Sequence, residues 1–451
     1  MSPLSRRDFL EATAASTAAL AAVTAAGTAA GTAAGTSAQG ADKVEKSDKL
    51  TVALIGCGGM GTNHLRNLVT RQDIRLAYVC DVDANRLAAA AKTVETSGHG
   101  QPQAVKDMRT ILDDKSIDVV WMATPDHWHS PGAILACEAG KHVYVEKPVS
   151  HNIREGRLLI EAARKHNRVV QVGTQSRSTA HVMKAMELLR DGVIGDVLVA
   201  KAWNSQLRGN IGHQQPSEPP AYLDYDLWLG PAPERPYQAN LLPGIWRWWY
   251  DFGAGDIGND GVHDIDIARW GLGVTTQPST VAALGSKFFF DDDQQFPDTQ
   301  YCVFEWPGDG KVGSKRQLIF EQRDWSPYVQ EGYENGNAYY GTKGMMILGK
   351  GGGWQVFGPR NKPGEKGSGT PDLVAHHTNF IECVRNGSKP NADVEIGHLS
   401  ASLVHLANIA CRKSRTLQFD PAKEAITGDD DAQKLIRRTY RDGHWAVPKG
   451  V

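Results

Sequence analysis

A glycine-rich loop set between an apolar run and a helical stretch constrains this chain more than any other feature. Gly56-Cys57-Gly58-Gly59-Met60-Gly61 follows directly on Thr51-Val52-Ala53-Leu54-Ile55 and opens a helix predicted through Asn63–Leu68. In that setting Gly56 permits a tight turn, Gly58 lets the backbone approach a pyrophosphate, and Gly61 lets the helix pack close to the strand. The pyrophosphate would lie at a helix N-terminus, where free N–H groups and the helix dipole favour an anion. Met60 belongs to the same turn. The next apolar run, Leu76–Cys80, leads into Asp81, whose carboxylate can bind the adenosine ribose hydroxyls and repel a 2′-phosphate. The expected coenzyme is NAD, with NADP left open by Arg86 nearby.

Apolar runs continue at Val119–Ala123, His142–Val145 and Val169–Val172, separated by helical stretches at Ala84–Thr93, Gly132–Ala139 and Ile153–His166. Continuous apolar strands alternating with helices predict a parallel sheet covered on both faces. With 451 residues the chain is too long for one ordinary core, and the pattern changes after Gly195. Asp196–Asn204 reads as a strand, and a Pro- and Trp-rich stretch runs from Ser205 to about Phe252. Asp260–Leu272 reads as a helix. Strands follow around Ser279–Leu284, Tyr301–Phe304 and Gln317–Phe320, then two helices near Leu373–Arg385 and Val394–Arg412. A polar tail begins after Asp420. These breaks divide the chain into a leader over 1–41, a dinucleotide-binding domain over 49–174, a substrate-binding and oligomerisation domain over 175–420, and a tail over 421–451.

The leader has its own chemistry. Arg6-Arg7 precede an Ala/Thr/Gly stretch with no charge between Glu11 and Asp42. This order resembles a twin-arginine export signal, so a periplasmic or secreted protein, exported already folded, is expected. A net charge of −2 and the lack of a basic block argue against nucleic acid as a partner. No later segment has the length and apolarity of a spanning helix, so no membrane role is expected after export. The six cysteines form no CxxC pair and read as small buried or loop residues.

Thr124-Pro125-Asp126-His127-Trp128-His129 ends one strand. Ala139-Gly140-Lys141-His142-Val143-Tyr144-Val145-Glu146-Lys147-Pro148 carries the next, and Gly261-Val262-His263-Asp264-Ile265-Asp266 opens a later helix. In this order the three segments resemble the Gfo/Idh/MocA family over about Leu50–Asp420. The resemblance implies an α/β fold: an N-terminal Rossmann doubly wound parallel sheet, then a C-terminal α/β domain with a large, open, mostly antiparallel sheet. It also implies oxidoreductase activity on a sugar or cyclitol, with Lys147 and His263 as acid/base partners. Family members commonly carry Asp four residues before that histidine. Here Asn259 stands there and Asp260 follows, so both are candidates beside the catalytic pair.

The residues themselves add detail. Lys147 ends a buried strand at the carboxyl edge of a parallel sheet, where ligands bind. A lysine there can exchange a proton with a substrate hydroxyl. A regular helix would place Asn259, His263 and Asp266 on one face. Thr124, Pro125 and His129 are expected near the nicotinamide ribose, with Glu146 and Gln175 as further coenzyme contacts. No metal is expected. The run Trp246-Arg247-Trp248-Trp249-Tyr250 can stack on sugar faces or pack in a core. The expected activity is hydride transfer between nicotinamide and a carbohydrate alcohol or ketone, the coenzyme being tightly held. Two alternatives stand beside it: an NAD-dependent glycosidase or lyase working through a transient keto-sugar, and a non-catalytic sugar-binding protein. An open sheet of this type is expected to pair with further copies as a homodimer or homotetramer.

Overall fold

The computed structural model describes residues 49–326 and 328–451. The twin arginines, the Ala-rich run and the 1–41 leader lie outside the described residues.

The first layer system forms as its apolar runs require. Strands β1 (Leu50–Ile55), β2 (Ile74–Cys80), β3 (Gln103–Val105), β4 (Val119–Met122), β5 (His142–Val145) and β6 (Val170–Val172) make one sheet in the order β3-β2-β1-β4-β5-β6. Every pairing in it is parallel. Val52, Ala53, Leu54, Val119, Val120 and Trp121 are wholly buried, because helices cover both faces. Those helices are α1 (Gly59–Leu68), α2 (Ala84–Glu95), α3 (Arg109–Asp113), α4 (Asp126–Glu138) and α5 (Ile153–Lys165). Asp83 caps α2 and Asn152 caps α5, each accepting backbone N–H groups of the first turn. Strand order reverses between β1 and β4, which opens a crevice at their carboxyl ends. Helix α4 begins six residues before the predicted Gly132. Its first turn, Asp126–His129, is therefore held rigidly at the lip of that crevice.

Helix α6 (Ala180–Arg190) leads to β7 (Val197–Ser205), the middle of a second sheet. Its other strands are β8 (Thr280–Ser286), β9 (Thr299–Trp306), β10 (Arg316–Arg323), β11 (Asn335–Gly341), β12 (Met345–Gly349), β13 (Gly352–Gly358), β14 (Lys362–Gly369), β15 (Leu417–Asp420) and β16 (Ala425–Thr427). The order is β14-β13-β12-β11-β7-β10-β9-β8-β15-β16. All pairs are antiparallel except β7 with β10. Helices α7 (Val262–Leu272), α8 (Leu373–Asn386) and α9 (Val394–Lys413) complete the fold. The large core lies between this sheet and α6, α7 and α9, with Phe304, Phe320, Tyr339 and Leu403 wholly buried. Five of the six cysteines are buried and all are free. Among the described residues no helix is long and apolar enough to cross a membrane.

The interior carries many uncharged imidazoles. Burial pushes His127 down to about 3, and His376 and His405 to about 4, while His151 lies well below its ordinary value. An unfolded histidine binds a proton below about 6.5, which these folded ones refuse. Their contribution is therefore full above pH 6.5 and is lost as pH falls towards 4. Asp126 and Asp264, raised to about 7 by burial, act in the opposite direction, but they are outnumbered. Each refused proton costs about 1.4 kcal/mol per pH unit. We expect the melting temperature to drop by roughly 5–10 °C between pH 7 and pH 5. A melting temperature that is flat or rises over that interval contradicts this reading of the core.

Candidate active site

The glycine loop sits at the reversal of strand order. Gly56 has φ +89°, and a Cβ there would stand 2.5 Å from the Ala123 carbonyl oxygen. A Cβ on Gly61 would overlap the Gly56 carbonyl oxygen. Both backbones are thus drawn together as no side chain would permit, and the N-terminus of α1 opens onto the crevice. Asp81 braces the loop, accepting the Cys57 N–H at 2.7 Å and the Asp83 N–H at 2.8 Å. Burial pushes its carboxyl up, against the pull of those two donors. Arg86 lies over Gly58 and reaches Asp83 at 3.5 Å.

The crevice continues into a cleft of about 550 Å³. Gly56, Gly58, Met60 and Asp81 line one end. Thr124, Pro125, His129, Glu146, Lys147 and Asn259 line the other. The loop, a helix N-terminus free of side-chain caps, and Asp81 at the end of β2 fit a dinucleotide. The ring nitrogens of His129 face two carbonyls, Nδ1 2.7 Å from Pro148 O and Nε2 2.8 Å from Thr124 O; burial favours the neutral ring, which donates to one of them. Gln175 is not on the cleft wall; its amide donates to Glu146 at 3.0 Å, so it stands behind that carboxylate. Gly61 also lies beneath the surface, packed on Gly56.

Glu146 and Lys147 follow β5 side by side but serve differently. Glu146 accepts from Gln175, from the Lys147 backbone N–H (3.1 Å) and from His64 Nε2 (2.9 Å). Burial alone would raise its carboxyl, yet the hydrogen bond and charge of His64, with Lys147 and His263, bring it down to about 2. Glu146 is thus a fixed anion in the cleft wall. The Lys147 side chain crosses the cleft, and its Nζ donates to the Asn259 carbonyl at 2.5 Å. The Lys147–Pro148 bond is cis.

A π turn, Ile257–Gly261, runs into α7 and changes the expected helical register. The predicted common face of Asn259, His263 and Asp266 does not form. Asp266 turns into the core and pairs with Arg177 at 2.7 Å, while the Asn259 amide donates to Asp256 at 2.8 Å. Asp260 binds Lys350 (2.8 Å) and Gln206 (2.8 Å); against burial, Lys350, with His263 and Lys147, holds its carboxylate well below the ordinary range. His263 is half-buried and stands beyond the cleft wall. Burial, then Lys350 and Lys147, push its imidazole down to about 3, so it is neutral near pH 7. It remains in electrostatic reach of Lys147, Glu146 and Asp260.

Several site residues carried no sequence signal of their own. Asp126, in the Thr124–His129 turn, lines the cleft and is pushed up to about 7 by burial, against Lys147 and Arg247. Trp246 and Arg247 also line it, whereas Trp248 and Trp249 are buried in an apolar cluster with Trp228 and Phe252. The aromatic run is thus divided between cleft and core. His127 is local packing, bonded to the Trp228 carbonyl at 2.9 Å. The long 205–252 segment roofs the cleft by pairing backbone with the loop after β2, through Ala84 N–H to the Tyr222 carbonyl and Asp224 N–H to the Val82 carbonyl.

The tail closes the outer lip. Arg438 binds buried Glu155 at 2.7 Å and the His127 carbonyl at 2.8 Å, and Trp445 packs on Trp128 with ring centroids 5.7 Å apart. Trp445 itself lines the cleft, with Arg109 over its ring. Replacing Trp445 by Ala should speed release of bound dinucleotide by about tenfold, as stacking area is lost. Unchanged release, followed by the fluorescence of reduced coenzyme, contradicts this role of the tail.

Comparisons with known proteins bear on these same segments. Residues 50–174 match the Gfo/Idh/MocA description "Oxidoreductase family, NAD-binding Rossmann fold". Residues 191–302 and 312–447 match its C-terminal alpha/beta domain. Inositol 2-dehydrogenase 2 of Saccharopolyspora erythraea is 30% identical over 259 residues, 57% of this chain and 63% of that protein. A glycosyl hydrolase family 109 protein of the same organism is 31% identical over 206 residues, 44% of this chain and 45% of that protein. The matched region thus spans less than two thirds of either relative. The crystal structure of aldose-aldose oxidoreductase from Caulobacter crescentus superposes with a TM-score of 0.62 at 20% identity, over 82% of this chain and 100% of that one, which is a likeness of fold. The family matches contain the glycine loop, the Glu146-Lys147-Pro148 strand end and the helix bearing His263, and the chain therefore belongs to the Gfo/Idh/MocA oxidoreductase family, with an NAD-binding Rossmann fold.

Proposed function

We propose that this chain is a sugar or cyclitol dehydrogenase in which Lys147 handles the proton of the reacting hydroxyl. The observation that carries the reading is the single cleft holding both the glycine loop and the Lys147 side chain. NAD, when bound, supplies the hydride acceptor. The loop, the α1 N-terminus and Asp81 would hold it, and Thr124, Pro125 and His129 shape the far end. Lys147 Nζ exchanges its contact with the Asn259 carbonyl for the substrate oxygen and polarises it. Lys147, in its uncharged form, takes the hydroxyl proton as the carbonyl forms, while His263, neutral and in electrostatic reach of Lys147, stands behind the cleft wall. Glu146 and Asp260 keep compensating negative charge nearby without leaving their partners. Incubating the protein with one candidate sugar tests the reading: reduced coenzyme should accumulate in proportion to ketone formed.

A second reading has support in the roofed cleft and in the glycosyl hydrolase relative. Oxidation at one carbinol acidifies the adjacent C–H, which permits loss of a leaving group, addition of water and re-reduction. Product without accumulated reduced coenzyme would favour this cycle.

We also propose export in folded form, supported by Arg6-Arg7 ahead of the uncharged Ala-rich stretch. Replacing both arginines by lysine should leave the protein in the cytoplasm. Self-association through the large sheet is proposed on its outer face, where Leu284 and Tyr301, paired across β8 and β9, remain 75% and 47% exposed.

A further inference from the structure

Four cationic side chains surround the Lys147 end of the cleft, and three have acceptors. Arg208 pairs with Asp256 at 3.0 Å and Asp260 at 3.4 Å. Lys350 pairs with Asp260 at 2.8 Å. Lys147 donates to the Asn259 carbonyl. Arg247 differs. It lines the cleft, its Nε is buried without a partner, and among the described residues no carboxylate lies within ion-pair distance of it. Its electrostatic neighbours at longer range are Asp256, Asp126, Arg208 and Asp260, all at the Lys147 end. Asp81, the carboxylate at the coenzyme end of the cleft, is not among them. Arg247 therefore faces the space for substrate rather than the coenzyme phosphates.

The guanidinium is also held in place. It sits in the short turn Ile245–Trp248, which Trp248, Trp249 and Phe252 anchor in the apolar cluster under the roof. Trp246, next to it, lines the same cleft and presents a ring suited to the C–H face of a pyranose. The half-buried guanidinium lies over the Trp246 ring at 5.6 Å but has no anionic partner, and a ligand that supplies one gains an ion pair in a partly desolvated site.

We propose that Arg247 binds a carboxylate of the substrate, so that the sugar acted on is an acid, a uronate or an aldonate, and its neutral counterpart is discriminated against. The proposal rests on the dehydrogenase reading above and narrows its substrate class. One guanidinium offers two parallel N–H donors, the geometry of a carboxylate. Asp256 and Asp260 near Arg247 repel any anion, a phosphate dianion more than a singly charged carboxylate, and one unpaired cation matches the single charge. Asp126, the other cleft carboxyl near Arg247, is raised by burial and makes no ion pair with the guanidinium.

Binding to the full chain loaded with reduced coenzyme tests this without turnover. Calorimetric titration with matched pairs (glucuronate and glucose, galacturonate and galactose, gluconate and glucitol) should show at least one acid binding about 10- to 100-fold more tightly than its neutral partner. In Arg247→Gln that preference should vanish, with affinity for the neutral sugar and coenzyme content unchanged. Arg247→Lys, which keeps the charge but not the fork, should fall between, and its unfolding temperature shows that the turn is intact. Equal affinity within every pair, or no binding in any pair, overturns the proposal. So does loss of coenzyme rather than of acid preference in Arg247→Gln, which would assign the residue to the dinucleotide. An acid that binds through Arg247 but is never oxidised would leave the recognition site standing and remove the dehydrogenase reading instead.

Discussion

Lys147→Ala should lower kcat/KM for sugar oxidation by about a thousandfold while leaving coenzyme binding nearly unchanged. General acid–base groups contribute on the order of 10²–10⁴ in rate. Lys147 is the cleft-lining side chain that reaches across from the end of β5 to the π turn before α7. Its loss frees the Asn259 carbonyl into a water-accessible cleft, a small cost to the fold. The Glu146 arrangement survives, because what Glu146 accepts from residue 147 is the backbone N–H. His64 and Gln175 still hold that carboxylate. The residues that would hold the dinucleotide, Gly56, Gly58, Met60 and Asp81, line the other end of the cleft. The variant should therefore purify with coenzyme and bind sugar, yet turn over slowly. Rates within a few fold of the unaltered protein would remove Lys147 from the chemistry.

Gly61→Ala should have the largest effect on coenzyme binding, with affinity reduced by about a hundredfold or more and stability lowered by about 1–3 kcal/mol. The added methyl group would overlap the Gly56 carbonyl oxygen and come within 3.6 Å of the Ala123 Cβ. The obstruction is backbone, so no side chain can rotate out of the way. Relief requires α1 to move off β1, carrying the loop N–H groups from their positions. Gly59→Ala is the matched control for stability, since a Cβ there meets open space. Equal unfolding temperatures for both variants would show that close packing of α1 on the sheet is not what Gly61 provides.

The parallel sheet was legible because its strands are buried on both faces, and β1, β2, β4 and β5 were found within two residues of their ends. Strand β3 was missed: Gln103 and Ala104 are exposed at the sheet edge, so no apolar run marks it. Helix α6 was missed beside the more obvious change of pattern after Gly195. The start of α4 was placed late, because its first turn, Asp126–His129, is polar yet buried. The same feature hid Asp126 as a site residue. Glycine, lysine and aspartate of the cleft announced themselves through fixed motifs. Arg247 did not, since in the run Trp246–Tyr250 the aromatic residues dominate and sequence cannot say which of them faces the cleft. Asn259 was misplaced for a different reason: the π turn Ile257–Gly261 adds a residue that no periodicity argument foresees and shifts Asn259 relative to α7. Asp266 follows His263 in the regular helix, and its ion pair with buried Arg177, from a distant segment, has no local sequence signal.

The account rests on one cleft bringing coenzyme and sugar together beside Lys147. The most direct measurement is the mass of the dinucleotide released by denaturation after incubation with a sugar deuterated at its carbinol carbons. Released NADH carrying one deuterium at nicotinamide C4 is the predicted result. A protein that releases no dinucleotide, or whose reduced dinucleotide remains unlabelled, contradicts the account.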